Sequence, residues 1–166
     1  MQNATTALAP SPPHFFFAPN SHSSLANARL TAQNLSADRE FVGMLNSYRN
    51  SGGLARLQEL TSLGSIGTKI DISRLATSIS QRELICFEWQ AHAWLPLFQF
   101  NVLDMTPHPQ MQSVIPELSC IYDPWELALW FSQPNPWLGD RAPADTLLTD
   151  VDAVRQAARA DRFVSS

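Results

Sequence analysis

Pro134-Asn135-Pro136-Trp137-Leu138-Gly139 constrains this chain more than any other stretch. Two prolines fix φ, Gly139 accepts a left-handed conformation, and Trp137 with Leu138 supplies apolar anchors, so the segment is predicted as a shaped turn rather than a linker. The residues before it read as a helix. Asp123 can accept from orphan N–H groups as N-cap, Pro124 suits the first helical position, and Glu126 sits where a capping box needs it. Leu127, Trp130 and Phe131 recur at helical spacing with Trp125 near the same side, and Pro134 pushes Gln133 out of the helical region. Beyond the turn, Pro143 and Asp145 mark another helix start, with Leu147 and Leu148 expected inward.

The rest of the chain is consistent with a small, mainly α domain carrying a short β-hairpin. Residues 1–35, rich in Pro, Ser, Asn and Ala, are expected to be a disordered or loosely docked tail, with the aromatic patch His14-Phe15-Phe16-Phe17 as its exception. From Ser36 the pattern turns helical, with Phe41, Val42, Leu45 and Tyr48 predicted on one face and Gly52-Gly53 as the break. A second helix is predicted from Leu54 to Leu63, ending at Gly64, and a third begins near Asp71 or Ser73 with Leu75 and Ile79. Leu84–Trp89 and Ala93–Phe100 read as strands of a hairpin turning over Gln90-Ala91-His92, the second demoted to an edge strand by Pro96. Residues 36–100 therefore form a helix-turn-helix-like module with a hairpin, and 101–162 a helical domain. In that domain a helix over Met111, Val114, Ile115 and Leu118 is stopped at Tyr122-Asp123. A last helix, capped by Thr149-Asp150, carries Val151, Val154 and Ala158 inward and Arg155, Arg159 and Arg162 outward, leaving 163–166 as a tail.

Composition excludes several function classes. The chain of 166 residues is 45% apolar and only 16% charged, which suits a globular protein with some apolar surface set aside for a partner. Eleven basic residues, of which Lys69 is the single lysine, face fifteen acids, for a net charge of −4. Nucleic-acid affinity rests on neutralising phosphates, so such a chain is poorly suited to strong autonomous DNA binding; Arg56, Lys69, Arg74 and Arg82 are the weak candidates. Cys86 and Cys120 lack metal or redox spacing and read as buried thiols of a cytoplasmic protein. No stretch approaches the roughly eighteen apolar residues of a membrane span.

The order DPWELALWFSQPNPWLGDRAPADTLL, preceded by Trp94-Leu95-Pro96-Leu97-Phe98-Gln99-Phe100 and followed by an Ala/Arg-rich helix, resembles the toxin-binding domain of MbcA/ParS/Xre-type antitoxins. Those proteins are partners of RES-domain toxins. The resemblance covers roughly residues 94–162 and implies a helix-turn-helix-derived module followed by a helical toxin-binding domain. It implies a non-enzymatic protein without cofactor or metal, which binds and neutralises a NAD-targeting RES toxin within a homo-oligomer or a toxin–antitoxin hetero-oligomer. On this sequence the implied contact residues are Trp125, Trp130, Pro134, Asn135, Trp137, Leu138 and Arg141, with Arg155, Arg159 and Arg162 on an arm near the toxin's active-site entrance. Trp137, in a proline-fixed turn, is the tryptophan expected to be partly exposed, and Arg141 either staples the turn to Asp140 or a carbonyl, or meets a partner carboxylate. Arg159→Glu with Arg162→Glu is expected to keep the helix and reverse only its charge. The alternative is a DNA-binding regulator acting through the helix-turn-helix-like module.

A hydrolase finds little support. His14, His22, His92 and His108 fall in predicted tails or loops without a nucleophile at motif spacing. Asp123 with Glu126 reads as a cap, Asp140 with Asp145 as turn and helix-start chemistry, and Gly64–Lys69 is too short for a P-loop.

Overall fold

The computed structural model describes residues 21–65, 71–101 and 103–165; the His14–Phe17 patch and Lys69 lie outside them. The chain divides into two units between Leu35 and Ser36. Helix α1 is Ser21–Ser47, so the part of the predicted tail from Ser21 onward is helical. The Ala, Leu, Arg and Gln residues of this stretch are good helix formers, which a reading by apolar period alone overlooks.

Within the second unit, α1 contributes Phe41, Met44 and Tyr48 to the core, while Val42 and Leu45, predicted inward, are 54% and 38% exposed. A face of three- and four-residue steps replaces the expected one. Gly52, at φ +103, closes the 3-10 turn Tyr48–Ser51, and a Cβ there would meet Leu97 Cβ at 3.1 Å.

Strand β1 is Leu54–Arg56, where a helix start was predicted; α2 follows as Leu57–Ser65 and α3 as Ile72–Ser80, capped by Asp71 through Arg74 N–H at 3.0 Å. Strands β2 (Phe87–Trp89) and β3 (His92–Pro96) form an antiparallel hairpin, and the sheet order is β1-β3-β2. Its two-residue turn holds Gln90 and Ala91 at φ 47 and 59, the left-handed pair whose twist matches the strands.

β3 is thus central, not an edge. Pro96 is tolerated because it is the last residue of β3 and faces Leu54 of β1, while β2 reaches only to Phe87 opposite Trp94. Continuing that register two residues places Ile85 opposite Pro96, which has no N–H to offer. The buried Gln99 side chain takes its place: Ile85 N–H donates to Gln99 Oε1 and Gln99 Nε2 donates to Ile85 O, both at 2.9 Å.

The alternating side chains of β3 serve two cores. Leu95 packs with Leu60, Leu75, Leu84 and Phe100. Trp94 joins Phe41, Tyr48 and Phe87 in a larger cluster completed by the C-terminal helices. Those are α4 (Met111–Leu118), α5 (Pro124–Ser132), the short α6 (Pro143–Thr146) and α7 (Val151–Ser165). Residues 36–100 and 101–162 therefore share one core, and Tyr48 Oη donates across it to the Ala128 carbonyl at 2.5 Å. α4 stops at Leu118, short of Tyr122-Asp123, and α7 runs past Arg162 to Ser165 with Phe163 and Val164 exposed. Leu147 is fully buried, whereas Leu148, expected beside it, is 54% exposed.

Candidate functional site

The turn predicted from its prolines is built by local bonds. Asp123 Oδ1 accepts from Glu126 N–H at 2.8 Å and Glu126 Oε2 accepts from Asp123 N–H at 2.9 Å, so the capping box closes and sets the start of α5. After Pro134, Asn135 organises the reversal. Its side-chain oxygen accepts from Trp137 N–H at 2.9 Å, its carbonyl from Leu138 and Asp140 N–H, and its own N–H donates to the Arg141 carbonyl at 3.1 Å. Gly139 and Asp140 take φ of 63 and 61; the glycine does so without strain, while the aspartate is a residue type that tolerates it. Arg141 Nε donates to Leu138 O at 3.3 Å, the carbonyl staple rather than an ion pair with Asp140.

The bonds that hold this turn to the body come from α7. Trp130 Nε1 donates to Asp161 Oδ2 at 2.6 Å, and Asn135 Nδ2 donates to the same oxygen at 3.3 Å. Trp130, Asn135 and Leu138 are consequently buried. Trp125 is half-buried with its Nε1 donating to Glu40 at 3.0 Å. Of the tryptophans in this block only Trp137 projects outward, 68% exposed on a turn whose backbone is bonded at both ends. Beside it lies a slot of about 230 Å³ lined by Trp130, Gln133, Pro134, Asn135, Pro136, Trp137 and Asp161.

The three arginines of the arm are engaged within the chain. Arg155 pairs with Asp152 at 2.6 Å, while Arg159 and Arg162 both bond Glu117 of α4 at 2.7 Å. The hydrogen bond from Arg159, backed by the charges of Arg159, Arg162 and Arg155, holds the Glu117 carboxyl below its ordinary range, against partial burial that pushes it up. Reversing Arg159 and Arg162 would place three carboxylates together on the α4–α7 contact, so the double substitution alters packing as well as charge.

Among the weak DNA candidates, Arg56 lies half-buried with its guanidinium 5.1 Å from the Trp94 ring centroid, whereas Arg74 and Arg82 are exposed. Cys120 is exposed and Cys86 half-buried, correcting the expectation of two buried thiols. Burial, with Glu88 adding to it, pushes the Cys86 thiol up, the opposite of what a thiolate nucleophile needs. Among the described residues no three His, Cys, Asp or Glu side chains come together as metal ligands, and no helix is long and apolar enough to cross a membrane. A cavity of about 530 Å³ between Gly52, Phe98, Asn101, His108 and Asp145 includes none of the expected contact residues.

Asp161, Glu117 and Gln99 were not singled out from sequence. Their partners lie 14 to 45 residues away, and no local pattern marks them.

No protein-family model matches this chain, and no curated protein and no solved structure matches it.

Proposed function

We propose that this chain is an antitoxin-like binding protein whose C-terminal helical region grips and neutralises a RES-type, NAD-targeting toxin in the cytoplasm. The observation that carries the reading is Trp137, a large aromatic ring held in solvent by a turn that spends its other side chains on its own rigidity. A tryptophan 68% exposed adds little to the core, and a preorganised aromatic anchor is what a protein interface concentrates its energy on. The resemblance of residues 94–162 to the toxin-binding domain of MbcA/ParS/Xre-type antitoxins supplies the partner class. Because Arg155, Arg159 and Arg162 are engaged on Asp152 and Glu117, the turn carries more of the grip than the arm.

The test is co-expression with the product of the neighbouring gene. Toxicity of that product alone, rescue by this chain and co-elution in size exclusion are expected; a neighbour that is neither toxic nor bound sinks the reading.

One observation favours a second reading. The order α1, β1, α2, α3, β2, β3, with the first strand paired to the third, is the order of a winged helix-turn-helix, in which the second helix of the pair enters the major groove. Here that helix exposes Ile72, Ser73, Arg74, Ala76, Thr77 and Ser80, a single cation among apolar and small polar residues. A mobility shift on its own promoter at physiological salt decides it, and the absence of salt-sensitive binding removes it.

A further inference from the structure

The slot beside Trp137 has a chemistry of its own. At about 230 Å³ it is smaller than the ~300–1,000 Å³ of drug-sized ligand sites, so it takes a side chain rather than a cofactor. Asp161 is the one charged residue among those lining it. Its Oδ2 accepts from two neutral donors, Trp130 Nε1 and Asn135 Nδ2, and its Oδ1 accepts no hydrogen bond from the described residues. No ion pair among the described residues neutralises it, because the arginines of α7 are turned to Asp152 and Glu117. Arg141, the nearest base in sequence to the turn, donates its Nε to Leu138 and does not line the slot. A carboxylate with no ion-pair partner among the described residues thus sits in a recess walled by Pro134 and Pro136, next to the exposed Trp137 indole.

We infer that this slot receives an arginine side chain of a protein partner, its guanidinium bonded to Asp161 Oδ1 and laid against Trp137. Charge complementarity selects a cation and rejects phosphate, in a chain whose net charge is −4. The pairing of a flat indole with a carboxylate selects arginine over lysine, since a guanidinium stacks on an aromatic face and donates in its own plane at once. This rests on the turn being a partner-binding face and adds the chemistry of the residue that enters it.

The full chain, labelled with nitrogen-15, is titrated with acetyl-Gly-Arg-Gly-amide and with its lysine and citrulline counterparts, following the tryptophan indole N–H signals. The indole signals of Trp130 and Trp137 are expected to shift saturably with the arginine peptide, less with lysine and not with citrulline, which is nearly isosteric and uncharged. Trp137→Ala is expected to weaken binding about five- to tenfold, in line with a desolvated cation–π contact. Asp161→Asn keeps an acceptor for Trp130 and is expected to remove the preference for arginine over citrulline; if that variant fails to fold, Trp137→Ala alone decides. Equal shifts with all three peptides, no shifts, lysine binding as well as arginine, or undiminished binding to Trp137→Ala would each overturn the assignment. The peptides contain nothing of a toxin, so the two readings fail separately. An arginine-selective slot in a protein that ignores its neighbour's product ends the toxin reading alone, and an inert slot in a protein that binds that product ends this one alone.

Discussion

Trp130 and Asp161 are joined by a 2.6 Å hydrogen bond across 31 residues of sequence, and through it the C-terminal helix fixes the position of the Pro134–Arg141 turn. Trp130 is buried apart from the edge that lines the slot, and Asp161 is the acceptor its indole N–H has in the described chain. Asp161→Ala is therefore expected to cost about 1–3 kcal/mol, the penalty of an orphaned buried donor. Urea unfolding measures it, and an unchanged midpoint would show that the contact does not hold the turn.

Trp137 is expected to behave in the opposite way. Trp137→Ala removes a side chain that is 68% exposed, so stability should move by less than about 0.5 kcal/mol. Affinity for the toxin partner should fall by about 2 kcal/mol or more, as for an interface anchor. Calorimetry of the purified pair separates the two quantities. Loss of stability without loss of affinity would reassign Trp137 to the fold.

Gln99 completes a sheet edge that Pro96 cannot. Gln99→Leu fills the space but leaves both the Ile85 N–H and carbonyl without the partners they have at 2.9 Å. A loss of about 2–4 kcal/mol is expected, since two buried backbone groups are stranded together. Chemical denaturation reads it, and hydrogen exchange of the Ile85 amide should accelerate with it.

Glu117 predicts a pH dependence. Its carboxyl is held down in the folded chain, chiefly by the hydrogen bond from Arg159, so the folded state binds that proton less readily than the unfolded chain does. The stabilisation is fully present above the unfolded value of about 4.3 and is lost as pH falls through the lower folded value. The contact is surface-facing on the arginine side, with Arg159 54% and Arg162 44% exposed, so Glu117→Gln should cost only about 1 kcal/mol at neutral pH. The parent and the variant should converge in stability on acidification, and a gap that persists at low pH would contradict the assignment.

Tyr48 gives the alkaline counterpart. Burial pushes its phenol well above the ordinary tyrosine range, so ionising it costs folding energy. Its stabilising effect holds below the unfolded value of about 10 and declines as pH rises beyond it. Tyr48→Phe loses the bond to Ala128 O, about 1 kcal/mol at neutral pH, but should unfold less steeply above that value in a pH-dependent melting series.

What was legible in the sequence is what is settled within a few residues. The capping box joins positions three apart, Asn135 bonds Trp137 two residues on, and Gly139 with Asp140 takes the left-handed backbone that ends the turn. Helix α5 and the shape of the turn follow from such contacts, because the bonds that define them join residues close in sequence. Tertiary structure decided the rest. Leu54–Arg56 carries a helical pattern but pairs with Trp94–Pro96, a partner that local propensity cannot see. Leu147 and Leu148 are equivalent as sequence, and only the packing of α6 buries the first and leaves the second in solvent. The arm arginines read as free cations until α4 brings Glu117 against them, and Asp161 reads as one more surface acid until Trp130 and Asn135 converge on it. Local bonds are encoded by spacing along the chain; long-range ones are selected by which surfaces must be buried together, and that selection exists only once the chain has folded.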